Sequence, residues 1–284
     1  MDALFFDDEK KEYREEDVYQ ALKAVGADDC ETLFLHSDLT FGTIPLDFNR
    51  KEYLRAFSNA LDCLGVKNLI VPTFTYSFCN GEIYDVKKSR TPMGSLNEYL
   101  RKQPGRYRTM DPLLSLSVPQ NLEILYSDIS QHSLGKGSGL DILHSMRNVK
   151  ILFLGARLHD CFTYLHYVEK MMDVPYRFDM PFTGEVVDEF GQHHKRTQYM
   201  HTACTGVTLR EGTYLEDYLV ECGLLRRVRL GNGFVSCIDE AEAYRELWNI
   251  IERNPCYFLT APYCVEELRH EYTYDASAGR ITHC

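Results

Sequence analysis

No apolar run in this 284-residue chain approaches the ~20 residues that a membrane-spanning helix needs. None of the ten cysteines forms a CxxC pair. They are scattered through a long chain, so reduced thiols are expected rather than a disulfide scaffold or a zinc ribbon. The opening MDALFFDDEKKEYREED is too acidic for a signal peptide or a mitochondrial transit sequence, which makes a cytoplasmic protein the expectation. Positive charge is also in deficit. A formal net charge of −11 disfavours a generic nucleic-acid surface and favours cationic ligands. Internal repeats and low-complexity linkers are missing as well.

What is present alternates between strand and helix patterns. Glu15 to Val25 carries Val18, Leu22 and Val25 at helical spacing, and the strand TLFLHSDL (32–39) follows. Asn49 is placed to cap a helix whose apolar stripe is Tyr53, Phe57, Ala60, Leu61 and Leu64, stopped by Gly65. A strand over 68–74 comes next, then an irregular stretch to Thr91 and a helix from about Ser95 to Arg101, ended by Pro104 and Gly105. The middle offers a weak strand at Leu114–Val118, a Gly-rich turn at 135–139, a short helix to Ser145 and a strong strand at Lys150–Leu154. Polar alternation around DEFGQHHKR predicts an antiparallel excursion within 175–230. Ser236–Ile238 then reads as strand, Glu240–Glu252 as helix, and a polar tail follows Ala261. The pattern predicts an α/β fold: a largely parallel central sheet covered by helices on both faces, with an antiparallel excursion or small second lobe.

Three strand ends carry chemistry. The first ends in His36-Ser37-Asp38, the second (NLIVPTFTYSF, 68–78) in hydroxyls, and the third (VKILFLGARLHDCFTYLHYVE, 149–169) leads to His166 and Glu169. An imidazole near a strand end is where α/β enzymes place a general base, and Glu169 shares a helical face with His166 if that segment is helical. Thr73 and Thr75 are either oxyanion donors or β-formers at a strand end. Arg90, Arg106 and Arg108 are candidate phosphate partners, and Arg101, Lys102, Arg106 and Arg108 cluster in an acidic chain. GKGSG (135–139) lacks the Walker ending and reads as a tight turn. No metal is expected, because neither His36-Ser37-Asp38 nor His193-His194 brings further ligands at a supporting spacing. Ser37 lacks a GxSxG elbow and Cys161 a protease setting, which argues against a hydrolase. A non-catalytic binding protein is a further alternative.

The pieces LFLHSDL (33–39), LIVPTFTYSF (69–78), MGSLNEYLRKQPG (93–105), GKGSGLDIL (135–143), LGARLHDCFTYLHYVE (154–169) and VPYR (174–177) come in an order and spacing that resemble the aminoglycoside 3-N-acetyltransferase family. The resemblance implies one acyltransferase domain over 1–284, with 175–230 on the substrate side. It also implies acetyl-coenzyme A as acyl donor and direct acyl transfer to an amine of an aminoglycoside or 2-deoxystreptamine-type amino sugar. His166 matches the histidine of the family's TxLHxxE motif and Glu169 its acidic partner. His36, Ser37, Thr73 and Thr75 are implied on the coenzyme side, with Arg108 and Ser115 beside them. This chain reads Asp111-Pro112 where the family commonly has His-Pro, and it carries an additional histidine, His201, in YMHTACTG. Both departures bear on the amine substrate; Asp111, His201 and Asp217 are the expected acceptor contacts, Asp217 because the resemblance implies acidic residues near the start of its helix-like segment, and Asp179, Asp188, Glu189 and Glu216 are further carboxylates for a polycation. An acceptor linked to a nucleotide diphosphate is the alternative, suited to Arg226, Arg227, Arg229 and His201. A homodimer is compatible with either reading.

Overall fold

In the computed structural model, which describes residues 3–46, 49–127, 129–271, 273–275 and 280–282, the apolar periodicities become elements of the expected kinds. Helix α1 (Glu15–Ala24) buries Val18, Ala21 and Leu22. Strand β1 (Thr32–Ser37) is buried along its first five residues. Helix α2 (Arg50–Asp62) starts where the Asn49 side chain accepts a 2.8 Å hydrogen bond from the Lys51 amide, satisfying one of the donors a helix start leaves open. Next come β2 (Asn68–Pro72), α3 (Ser95–Leu100), β3 (Arg106–Arg108), β4 (Leu116–Pro119) and α4 (Gly139–Ser145). They are followed by β5 (Val149–Leu154), α5 (Tyr164–Met171), and the long strands β6 (Arg177–Val187) and β7 (His193–Ala203). The chain continues with α6 (Tyr214–Glu221), β8 (Arg226–Leu230), β9 (Gly233–Asp239) and α7 (Glu240–Arg253).

The central sheet has seven strands in the order β8-β9-β5-β1-β2-β4-β3. Its centre, β5-β1-β2, is parallel, while β8, β9, β4 and β3 pair antiparallel at the flanks. Both faces are covered, and the side-chain alternation of a strand sorts its residues between two cores. Leu33, Leu35, Leu152 and Leu154 join α1 and α2 on one side; Phe34, Ile151 and Phe153 join α5 and α7 on the other. His36 falls in step with Phe34, and this decides its surroundings below.

The antiparallel excursion is narrower than 175–230. It consists of the β6–β7 hairpin, 11 residues on each strand, with Tyr84–Asp85 running parallel to β6. β8 lies within the expected range but belongs to the central sheet. The tight turn at Gly231 and Asn232, with Gly231 at φ +56°, folds it directly onto β9.

At one end of the sheet the chain packs closely enough to require glycine. Gly155, at φ +75°, follows β5 against the residue just past β1, where an added Cβ would stand 1.9 Å from the Asp38 carbonyl oxygen. Gly155→Ala combines left-handed backbone with this clash, so its unfolding free energy in urea should fall by more than ~1 kcal/mol. An unchanged midpoint would show that the ends of β1 and β5 are not in contact.

Candidate active site

The C-terminal ends of the three parallel strands lie side by side. Ser37 pairs with Leu154 across β1 and β5, and the Asp38 amide donates to the Leu154 carbonyl at 2.9 Å. Asn97 of α3 ties the third end in: it accepts from Ser37 Oγ at 2.8 Å and donates to the Pro72 carbonyl at 2.9 Å. Gly94, just before α3, sits against the Ser37 carbonyl, where a Cβ would approach to 2.8 Å. Gly94 also lines a cleft of about 920 Å³, whose walls carry Arg50, Lys51, Arg90 and Lys102 together with Glu98. Arg50, Lys51 and Arg90 are exposed, and a site of this size and charge suits an anionic ligand of coenzyme dimensions.

β5 feeds the other half of the site. The chain leaves Leu154, makes a short helical turn at Leu158–Cys161 and enters α5, whose first turn bears His166. Three residues on, Glu169 accepts from His166 Nδ1 at 2.8 Å, so the two do share a helical face. Glu169 has no solvent exposure, and three groups converge on it: His166, the Tyr176 hydroxyl at 2.8 Å, and the Arg177 guanidinium at 2.7 Å. Burial alone would raise its pKa. Arg177, then His166 and Tyr176, outweigh burial and hold the carboxyl down at about 2. An ionised carboxylate can only accept, so the imidazole proton sits on Nδ1 and Nε2 keeps its lone pair. The His166 side chain retains 36% exposure. Burial first, and Arg177 second, lower the His166 pKa against the opposing pull of Glu169. A neutral, partly exposed imidazole with a free Nε2 lone pair can take a proton.

A second polar cluster lies beside it on the base of the β6–β7 hairpin. Asp179 accepts from Lys170 Nζ at 2.8 Å and His201 Nδ1 at 2.9 Å, with His132 Nδ1 at 3.0 Å. Burial would raise the Asp179 carboxyl, but His201 and Lys170 drive it well below the usual carboxylate range. His201 is 5% exposed, and burial lowers its pKa.

Several expected contacts are structural instead. His36 stacks on Phe153 at 5.4 Å and meets Phe34 edge-on at 5.0 Å. Buried in that core, its pKa is pushed down to about 3, and it does not reach the cleft. Thr73, Thr75, Arg108 and Ser115 are all buried, and their polar atoms are spent on one another and on the backbone. The Thr75 hydroxyl donates to the Pro112 carbonyl at 2.7 Å, and Ser115 Oγ to the Thr73 carbonyl at 2.7 Å. Arg108 bonds Thr73 Oγ1 and the Thr73 carbonyl. This network ties β2 to the segment before β4 and leaves no oxyanion donor among these hydroxyls. Ser37 alone of the six coenzyme-side residues is partly exposed at a strand end.

Asp111 is likewise 1% exposed: Oδ1 accepts from the Leu113 and Leu114 amides and from Ser133 Oγ, and burial raises its pKa. It braces a turn rather than facing an acceptor. Asp217, in the first turn of α6, is exposed and accepts from the Thr213 hydroxyl at 2.6 Å, a helix-start contact. Glu216 is taken by Arg227, His159 and the Leu158 amide, so Arg227 is committed to a carboxylate. Asp188 shapes the hairpin turn, accepting from the Phe190 and Gln192 amides. Among the described residues no group of three or more His, Cys, Asp and Glu is arranged to hold a metal. The residues that sequence reasoning passed over are Tyr176, Arg177 and Lys170. The segment VPYR signalled the first two without indicating that they close on Glu169.

A family model described as aminoglycoside 3-N-acetyltransferase matches residues 36–252. Solved structures share the fold. One is AAC-IIIb in a binary complex with CoASH, at 20% identity and TM-score 0.69, covering 88% of this chain and 99% of that one. Another is a histidine-to-alanine mutant of the aminoglycoside acetyltransferase AAC(3)-IVa in complex with a gentamicin, at 21% identity and TM-score 0.67, covering 89% and 93%. A third is the YokD protein from Bacillus subtilis, at 17% identity and TM-score 0.66, covering 86% and 95%. No curated protein matches the sequence.

The Glu169 carboxylate has its pKa depressed from an ordinary 4.5 to about 2, so the stability it contributes is complete above 4.5 and is lost as pH falls towards 2. Glu169→Gln leaves Arg177 buried without its counter-charge and should cost ~3–5 kcal/mol at neutral pH. In denaturant titrations from pH 7 to pH 3, the gap between wild type and variant should narrow only below about pH 4.5. A pH-independent gap would mean that Glu169 is not held as a carboxylate.

Proposed function

The chain belongs to the aminoglycoside 3-N-acetyltransferase family, and from that premise we propose that it moves an acetyl group from acetyl-coenzyme A to an amine of an aminoglycoside-type amino sugar, with His166 as general base. The observation that carries this reading is the pair of His166 and Glu169: a partly exposed imidazole whose Nδ1 is fixed by a fully buried carboxylate. As the amine nitrogen attacks the thioester carbonyl, the carbon–nitrogen bond forms and Nε2 of His166 accepts a proton from that nitrogen. The resulting imidazolium is stabilised by Glu169, whose ionised state Arg177 maintains. Collapse of the tetrahedral intermediate breaks the carbon–sulfur bond, and the departing thiolate takes up a proton.

The cleft beside α3 is the proposed seat of the coenzyme. Arg50, Lys51, Arg90 and Lys102 supply positive charge for its phosphates, and the Gly94–Ser37 contact runs from that cleft to the strand ends. Coenzyme charge thus falls on one side of the sheet end, and proton transfer on the helix that follows β5.

Two variants should separate binding from chemistry. His166→Ala should cut turnover by about 10²–10⁴-fold with the coenzyme dissociation constant nearly unchanged, whereas Arg90→Glu should raise that constant roughly tenfold or more. Activity near wild type in His166→Ala, assayed on an aminoglycoside panel by thiol release, would remove His166 as the base.

The pH profile tests the same assignment. Burial first, and Arg177 second, lower the His166 pKa, so the acid limb of kcat/KM should lie below the ordinary histidine value of ~6.5 and move to higher pH in Arg177→Gln. A limb that stays in place would show that another group titrates there.

A further inference from the structure

A second cavity, of about 410 Å³, shares Lys102 with the coenzyme cleft and is otherwise walled by different residues. Lys87, Arg101, Lys102, Arg106 and Arg108 line it against a single lining carboxylate, Glu189. Glu98 bonds both Arg101 and Lys102 from beside the cavity, and Asp62 and Asp85 act on Arg106 and Arg108 from outside its lining, so five cations line a cavity whose own wall carries one carboxylate.

Arg101 is paired with the Glu98 carboxylate, but Arg106 and Arg108 are held by oxygens that do not cancel their charge. Arg108, 8% exposed, donates to Thr73 Oγ1, Ser115 Oγ and the carbonyls of Ser89 and Thr73. Arg106 donates to Ser117 Oγ and to the carbonyls of Leu69 and Ser117. Neutral acceptors fix a guanidinium in place but leave its field intact, and burial makes a cation without a directly bonded carboxylate costly. Burial lowers the pKa of both arginines accordingly, Arg106 to about 10. A multiply charged anion entering the cavity would meet a preset positive field at little cost in side-chain ordering.

We propose that this cavity binds a small phosphate-bearing molecule, at a site distinct from that of the coenzyme. Phosphate chemistry fits better than a lone carboxylate, because several cations line the cavity and one carboxylate would balance only one of them. The volume accommodates a small organic phosphate.

The test is isothermal titration of coenzyme A-saturated protein with inorganic pyrophosphate. One equivalent should bind alongside the coenzyme, and its affinity should fall as salt rises. Lys87→Glu should weaken pyrophosphate roughly tenfold and leave coenzyme affinity unchanged. Lys87 is exposed, so the variant is expected to fold, and an unaltered melting temperature confirms that it does. Displacement of pyrophosphate by coenzyme A, absence of binding, or equal affinity in Lys87→Glu would each overturn the proposal. Lys87 does not line the larger cleft and Arg90 does not line the smaller one. Comparing Lys87→Glu with Arg90→Glu on coenzyme-free protein therefore keeps failure of the second site distinct from failure of the coenzyme reading.

Discussion

Removing a carboxylate wholly from water is costly unless other groups cancel its charge, and at Glu169 that task falls chiefly to Arg177. Much else depends on this ion pair. Arg177 opens β6, so the pair fixes the base of the long hairpin against α5. Tyr176 adds its hydroxyl to the other carboxylate oxygen, leaving Glu169 little freedom to rotate. His166 therefore meets an acceptor whose position and protonation are both set by the excursion. The same arginine opposes protonation of the imidazole, so one guanidinium helps keep Glu169 ionised and His166 neutral.

The sheet supplies a second constraint of a different kind. Parallel strands bring their C-terminal ends to one edge, but a cleft forms there only if the connections pass close to one another. Gly155 and Gly94 permit these approaches, the first against Asp38 and the second against Ser37. Asn97 then uses its amide to hold β1 and β2 together from α3, so the helix beside the cleft is anchored to the strands. Backbone proximity brings these ends together, and the polar side chains nearby mainly secure it.

This division explains which parts of the site were legible in the sequence. Asn49 with its apolar stripe, the continuous apolar strands and the i, i+3 spacing of His166 and Glu169 are local signals, and local geometry realised each of them. Thr73 and Thr75 illustrate the limit. A hydroxyl at a strand end has the same sequence appearance whether it faces a cleft or bonds a neighbouring segment, and here the chain over Pro112–Ser115 claims it. His36 differs for a related reason: strand alternation places it in step with Phe34, and the aromatic contact with Phe153 comes from β5, more than a hundred residues away. Arg177 was visible as part of VPYR, yet its approach to Glu169 requires the turn from α5 into β6. The parallel expectation held for the strands joined by helical crossovers. It could not extend to the flanks, where the short turn at Gly231 and Asn232 reverses the chain and makes β8 and β9 antiparallel.

Charge shows the same separation between global and local. The net −11 suggests affinity for cations, yet six of the seven carboxylates named for an acceptor or the base are already committed within the fold: Glu169 to Arg177, Asp179 to Lys170, Glu216 to Arg227, Asp111 and Asp188 to backbone amides, and Asp217 to a hydroxyl. Around α3, by contrast, exposed cations surround the cleft while most carboxylates of the chain lie elsewhere. A chain of negative overall charge can therefore carry a positive recess at one edge of its sheet, because field strength inside a recess is set by the few charges lining it, and the distant ones are screened by solvent and salt. The acidic average describes the outer surface, and the recesses beside α3 carry the opposite sign.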